Sequence, residues 1–179
     1  MEQRELEVDP RLFPDMDSPR PGIHVTDLIA EIEEVLGVER EPLLFPTPAT
    51  YALVGIAWEV YVRSRITECS WDIPVELDGV TGTLDALSWG REPEVVECKA
   101  TWMSSNKEPR DIWRWMCQVK AYCHMVGVRT AHMYILHLCG NWKPPTPLVK
   151  EVELTFTERE LEENWRMLVT HKEGKHNGG

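Results

Sequence analysis

Thr81-Gly-Thr-Leu-Asp85-Ala-Leu-Ser-Trp89 and Glu94-Val-Val-Glu97-Cys-Lys99-Ala100 are the two stretches on which the reading of this chain turns. Each is a short run of strand-forming residues bounded by breakers. A third run, Trp71 to Leu77, precedes them, with Ile73, Val75 and Leu77 alternating. Asp78-Gly79 marks the first turn and the segment from Gly90 to Pro93 the second, so the three runs predict an antiparallel meander. Strand alternation puts Thr83, Asp85 and Leu87 on one face, and Val95, Glu97 and Lys99 together on one face. Where those faces coincide, Asp85, Glu97 and Lys99 meet. Two carboxylates hold a hard divalent cation through oxygen, and a nearby ammonium polarises a water or neutralises charge on a phosphate.

The segments on either side supply helices. From Pro48 to about Ile66, positions 49, 52, 53, 56, 57 and 60 follow the helical period, with Pro48 suited to a first turn. Glu59 falls beside Ala52 and Gly55, on the small-residue edge of that stripe, where a carboxylate needs a partner. Residues 111 to 126 form the clearest helix, through Ile112, Trp115, Met116, Val119, Tyr122, Cys123 and Val126. Gln118 and Tyr122 project from it one turn apart. The apolar run Ala131 to Cys139 follows, and a strand, helix and strand of these lengths predict a right-handed crossover to a parallel neighbour. The expected fold class is therefore α/β, a central mixed sheet made of the meander plus a crossover strand and flanked by helices.

An earlier helix is expected with Thr26 as N-cap, Leu28, Ile29, Ile32, Val35 and Leu36 on one face, and Gly37 at its end. Near the other end, Val149 to Phe156 reads as an edge strand. Thr157 and Glu160 form a capping-box pattern opening a last helix through Leu161, Trp165, Leu168 and Val169. Residues 1–22, with four prolines among charges, read as an extended arm. Residues 23–170 are expected to form a single domain with its core at 48–139, and 171–179 a disordered tail.

At 179 residues and 42% hydrophobic, the chain can bury a full core. The longest apolar run, Ala52 to Trp58, is far too short to span a bilayer, and the start carries no leader pattern, so a cytoplasmic protein without a membrane role is expected. Cys69, Cys98, Cys117, Cys123 and Cys139 are scattered without a close pair, which suits reduced core thiols and disfavours an iron–sulfur cluster. The six histidines lack metal-ligand spacing, and no nucleophile elbow or phosphate-binding glycine loop occurs. Net charge is −11, yet Lys99 to Arg129 holds six basic residues against two acidic ones, +4, while the remainder, with 13 basic and 28 acidic, carries −15. An acidic body with one anion-facing patch follows. Lys107, Arg110, Arg114 and Lys120 are its candidate phosphate contacts, and Trp102 its candidate base-stacking side chain, Trp115 belonging to the buried stripe.

Taken together, Gly82 to Asp85, Glu97 to Lys99 and Gln118 to Tyr122, with Glu59 upstream behind Gly55, resemble the PD-(D/E)xK nuclease superfamily in its RecB-like branch, which includes phage exonucleases and CRISPR-associated relatives. The resemblance spans roughly residues 48 to 139 and implies a restriction-endonuclease-like core of helix, three strands, helix and strand. Its glycine-x-x-aspartate, acid-x-lysine and glutamine-x-x-x-tyrosine motifs fall on those three segments. Acid-x-lysine alone discriminates little, since Glu173-Gly-Lys175 matches it too. The chain departs from many relatives in having no histidine before Glu59, which suggests an all-oxygen metal shell, and in lacking the paired cysteines of cluster-bearing members.

The resemblance implies that Asp85, Glu97 and the backbone carbonyl of Cys98 hold Mg²⁺ or Mn²⁺, with Glu59 assisting. Lys99 would activate the attacking water, and Gln118 and Tyr122 would orient Lys99 or the phosphate. The implied activity is metal-dependent DNA hydrolysis, as an exonuclease in recombination, repair or phage DNA processing in a bacterial or phage-infected cell. A structure-selective endonuclease and a non-catalytic DNA-binding or assembly subunit stay open, as do a homo-oligomer and a recombination-protein partner.

Overall fold

Asp78 and Gly79 both take positive φ, 50° and 68°. Two such residues in succession make the tight reversal whose twist suits a hairpin. The strands they join are β1 (Cys69–Leu77) and β2 (Val80–Trp89), and a second reversal leads to β3 (Pro93–Thr101). The computed structural model describes residues 20–38 and 48–176; most of the expected N-terminal arm, residues 1–19, and residues 177–179 lie outside the described residues. Ahead of the meander come α1 (Val25–Leu36) and α2 (Pro48–Arg63). After it come a 3-10 turn at Pro109–Asp111, α3 (Trp113–Val126), β4 (Thr130–His137), β5 (Leu148–Thr155) and α4 (Glu158–His176). The sheet runs β1-β2-β3-β4-β5, and β3 with β4 is its one parallel pair. This is the α/β mixed sheet flanked by helices that the strand and helix periods predict.

The core follows from alternation. Val95 on β3, Ala131, Met133 and Ile135 on β4 and Leu154 on β5 are fully buried beneath Ile29 of α1, Val119 and Cys123 of α3 and Leu168 of α4. Val96 and Ala86 are buried outside that cluster, together with Trp58 and Val62, so α2 covers the opposite face of the sheet at β3. The expected apolar stripe of α2 is not the face that packs. Leu53, Ile56 and Val60 are exposed, at 41, 47 and 59%, while Gly55, Trp58, Glu59 and Val62 turn to the sheet. Both faces of this helix are apolar enough to bury. Trp58 decides between them, because a large ring gains most from burial and its N–H donates to the Tyr134 carbonyl at 2.9 Å.

Two helix boundaries differ from the sequence reading. Helix α1 begins at Val25 with His24 in the cap position and no side-chain cap, so Thr26 lies inside the helix, while Gly37 closes it at φ 64° as expected. The last helix continues through His171 to His176 instead of giving way to a structureless tail at 171. Its added turn has work in the fold, for Lys172 donates to the Asp78 carbonyl at 2.5 Å, next to the contact by which Trp165, earlier in the helix, donates to Asp78 Oδ2 at 2.8 Å. Helix α4 thus clasps the tip of the β1–β2 hairpin.

The capping box forms as read. Thr157 N–H donates to Glu160 Oε2 at 2.9 Å, and Glu160 N–H donates to Thr157 Oγ1 at 3.3 Å. Thr157→Ala is expected to cost about 1 kcal/mol, seen as a lower urea midpoint at unchanged slope.

Candidate active site

Strands β2 and β3 begin as a regular ladder, Trp89 opposite Pro93 and then Ser88, Leu87 and Ala86 opposite Glu94, Val95 and Val96. There the pairing stops, although β3 stays paired with β4 as far as Thr101. The strands fork, and the next residue of β2 is Asp85, in line with Glu97. A strand N–H left without its ladder partner needs an acceptor. Cys98 N–H donates to Asp85 Oδ2 at 2.7 Å, so the carboxylate sits in the fork in place of a backbone carbonyl.

Glu97 is 1% exposed. Lys99 Nζ donates to its Oε1 at 2.5 Å and to Gln118 Oε1 at 2.9 Å, while Glu97 Oε2 is buried without a partner. The Tyr122 hydroxyl lies beside the Gln118 side chain and the Thr83 backbone, which partly offset the rise that burial and the Glu97 charge give its pKa. The Tyr122 ring lies on Gly82: a Cβ there would come within 2.7 Å of its Cε1. Glycine at this position is therefore a demand of packing, and the ring holds the Gln118–Lys99 arm in place. Tyr122 is 3% exposed and supports the lysine from behind.

Burial, then the Glu97 charge, raises Asp85 to about 7, against the pull of Lys99 and the Cys98 N–H. Glu59 on α2 is raised by burial and then by Asp85 and Asp72, with Arg63 opposing. Cys98 feels Asp85, Glu97 and Glu59 in addition to burial, so its thiol is pushed up and stays protonated. The six expected centre residues thus come together: Asp85 in the fork, Glu97 with Lys99 and Gln118 beside it, Tyr122 beneath, and Glu59 near enough for Asp85 to act on it.

The expected phosphate contacts divide. Arg114 pairs with the buried Glu33 of α1 at 2.6 Å, and Lys120 lies 3.8 Å from Glu160 and 5.5 Å from the Phe156 ring centre. Both tie α3 to its neighbours. Arg110 and Lys107 are exposed on the segment after β3, and Trp102 meets Tyr51 edge-on at 4.3 Å between ring centres. Arg63 and Asp72 are features that the sequence reading missed. They are joined at 2.7 Å, and helical spacing places Arg63 one turn beyond Glu59.

Among the described residues no three His, Cys, Asp or Glu side chains are already drawn around a common cation position. The donor chemistry nevertheless fits one: the orphaned Glu97 Oε2 and the desolvated Asp85 carboxylate beside it are hard oxygens with repelling charge. The surface hollows of 450 and 370 Å³ run along α4, away from these acids.

No family model and no curated protein matches the sequence. Among solved structures, the fold is similar to that of an alkaline exonuclease, LHK-Exo from Laribacter hongkongensis, with a TM-score of 0.59 and 11% identity over 87% of this chain and 88% of that one. It is also similar to a protein designated SSO0001, with a TM-score of 0.51 and 14% identity over 86% of this chain and 77% of the other. At such identities the likeness is one of fold.

A raised aspartate stabilises the fold below its unfolded pKa, and that contribution is lost as pH climbs from 3.8 through about 7. Chelated protein is therefore expected to lose stability over that window, with a shallower loss in Asp85→Asn, measured by urea unfolding at several pH values. Equal slopes would show that Asp85 is not held protonated. Gly82→Ala is expected to destabilise by about 1–3 kcal/mol through the Tyr122 clash, and Gly82→Ala combined with Tyr122→Leu by less than the two separate losses added together.

Proposed function

We propose that this chain is a divalent-metal-dependent DNA nuclease of the PD-(D/E)xK superfamily, RecB-like branch, hydrolysing phosphodiester bonds as an exonuclease. The observation that carries the reading is the buried Glu97, with one oxygen on Lys99 and the other without a partner, in line with Asp85 at the fork. The fold likeness to an alkaline exonuclease supports it. Asp85, Glu97 and the Cys98 carbonyl would hold Mg²⁺ or Mn²⁺, with Glu59 assisting from α2. The cation when bound supplies Lewis-acid stabilisation of charge on the phosphoryl oxygens.

The remaining work belongs to the protein's own groups. Lys99 orients the attacking water and hands positive charge to the reacting phosphate, and Gln118 fixes the ammonium by its second hydrogen bond. Tyr122 excludes water from behind that arm and sets the amide of Gln118. Trp102, Lys107 and Arg110 receive the strand. Arg114 and Lys120, whose tips are engaged with Glu33 and Glu160, add to the field around it.

End-labelled single- and double-stranded DNA should be shortened stepwise with Mn²⁺ or Mg²⁺ and left intact with chelator. Glu97→Ala and Lys99→Ala should each slow the reaction about 10²- to 10³-fold, and unchanged rates would refute the assignment. Cleavage of closed circular strands would replace the exonuclease by an endonuclease. Cation binding must displace the proton that Asp85 holds up to about 7. Affinity for Mn²⁺ is thus expected to fall about tenfold per pH unit below that point and to level off above it, measured by calorimetry.

A further inference from the structure

Arg63 and Asp72 stand at the open end of the carboxylate row. The pairs Trp71 with Ala86 and Ile73 with Leu84 bracket Asp72 and set it opposite Asp85, which is itself in line with Glu97. The row Asp72, Asp85, Glu97 therefore runs across β1, β2 and β3 from the edge of the sheet inward. Asp72 sits in mid-strand at φ 53°, in the left-handed region, which aspartate enters more readily than most side chains but which is uncommon inside a strand.

Its carboxylate is aimed at Arg63: Nη2 donates to Oδ2 at 2.7 Å, and the guanidinium also lies 5.4 Å from the centre of the Trp71 ring. The pair is 44 and 59% exposed. An ion pair that open contributes little to stability, so holding the fold together is a poor account of a left-handed residue placed in mid-strand to meet Arg63. Arginine carries five donors in a planar fork, and a pair made at one nitrogen leaves it able to take a phosphate as well. Such a charge is needed here. Lys99, held by Glu97 and Gln118 inside the fork, serves the group that is cut, and a phosphate farther out along the row of acids meets repulsion unless a cation stands at the entrance.

We propose that Arg63 is a phosphate-binding residue of the candidate site, contacting the phosphodiester group next to the one that is cut, with Asp72 and Trp71 as the positioning residues that hold its guanidinium at the mouth. This rests on the nuclease reading given above. Arg63 binds the substrate backbone before and during cleavage, which places its effect on KM more than on kcat.

The test uses the full chain and its variants Arg63→Gln, Arg63→Lys and Asp72→Asn, with an end-labelled oligonucleotide and Mn²⁺. Arg63→Gln is expected to raise KM about tenfold or more, with a smaller change in kcat. In a Glu97→Gln background, DNA affinity by fluorescence anisotropy should fall, and the salt dependence of log Kd should flatten by about 0.9 for a duplex or 0.7 for a single strand, the signature of one lost phosphate contact. Arg63→Lys should recover part of the loss, as a point charge without the fork. Asp72→Asn should raise KM by a smaller factor, with all variants unfolding at the wild-type temperature. Wild-type cleavage with an unaltered KM and salt slope in Arg63→Gln overturns this inference and leaves the nuclease reading standing. Loss of stability in Arg63→Gln without Arg63→Lys rescue assigns the pair to folding and overturns it as well. Absence of metal-dependent cleavage by the wild type removes the nuclease reading first, and this inference with it.

Discussion

The hydrogen bond from Cys98 N–H to Asp85 is the contact around which the centre is built. Two strands that part must leave backbone groups without their ladder partners, and a buried N–H left alone costs as much as a lost hydrogen bond. A carboxylate at the point of parting resolves this without closing the gap. It fixes the direction of Asp85, keeps β2 and β3 at a set separation, and leaves Asp85 within reach of the Glu97 charge. Lys99, Gln118, Tyr122 and Gly82 form one connected line of support reaching into the same fork.

The cost of this arrangement is electrostatic. Asp85 and Glu97 face each other with little water, Asp85 takes up a proton near neutrality, and Glu59 and Asp72 add further negative charge. Lys99 answers only one of Glu97's oxygens. A core chosen for stability alone would not gather these groups, and such concentrations of unfavourable charge occur more often at sites that bind or react than in ordinary cores. Around them the protein is conventional: alternating strands bury Val95, Met133 and Ile135 on one side, and helices close over them.

Much of this was legible in the chain because the relevant signals are local. Alternation across residues 81–89 and 94–100 marks the meander, Asp78-Gly79 marks its turn, and the stripe from Ile112 to Val126 marks α3 and puts Gln118 and Tyr122 on one edge. Thr157 and Glu160 announce their cap. What the periods could not carry is choice between partners distant in sequence. Helix α2 has two apolar faces, and only the Tyr134 carbonyl and the breadth of the Trp58 ring select the one that packs. Arg114 and Lys120 look free in a basic patch, yet Glu33 and Glu160 arrive from other helices to hold them. Asp72 gives no warning of its left-handed backbone, since no glycine or turn signal stands there, and Arg63 gains its meaning from the strand it meets. Gly82 is legible as a motif but not as a cause, which is the ring of a residue forty positions later.

The clasp between α4 and the β1–β2 hairpin ties the end of the chain to its middle. Trp165 and Lys172 grip Asp78, and the two strands leaving that turn carry Asp72 and Asp85. The terminal helix thus acts as a brace for the acids without touching them. Shortening the polypeptide ahead of Lys172 removes half of that grip, and a fused partner that pulls on α4 transmits its load to the hairpin tip, so the choice of a truncation point is also a choice about how firmly the fork is held.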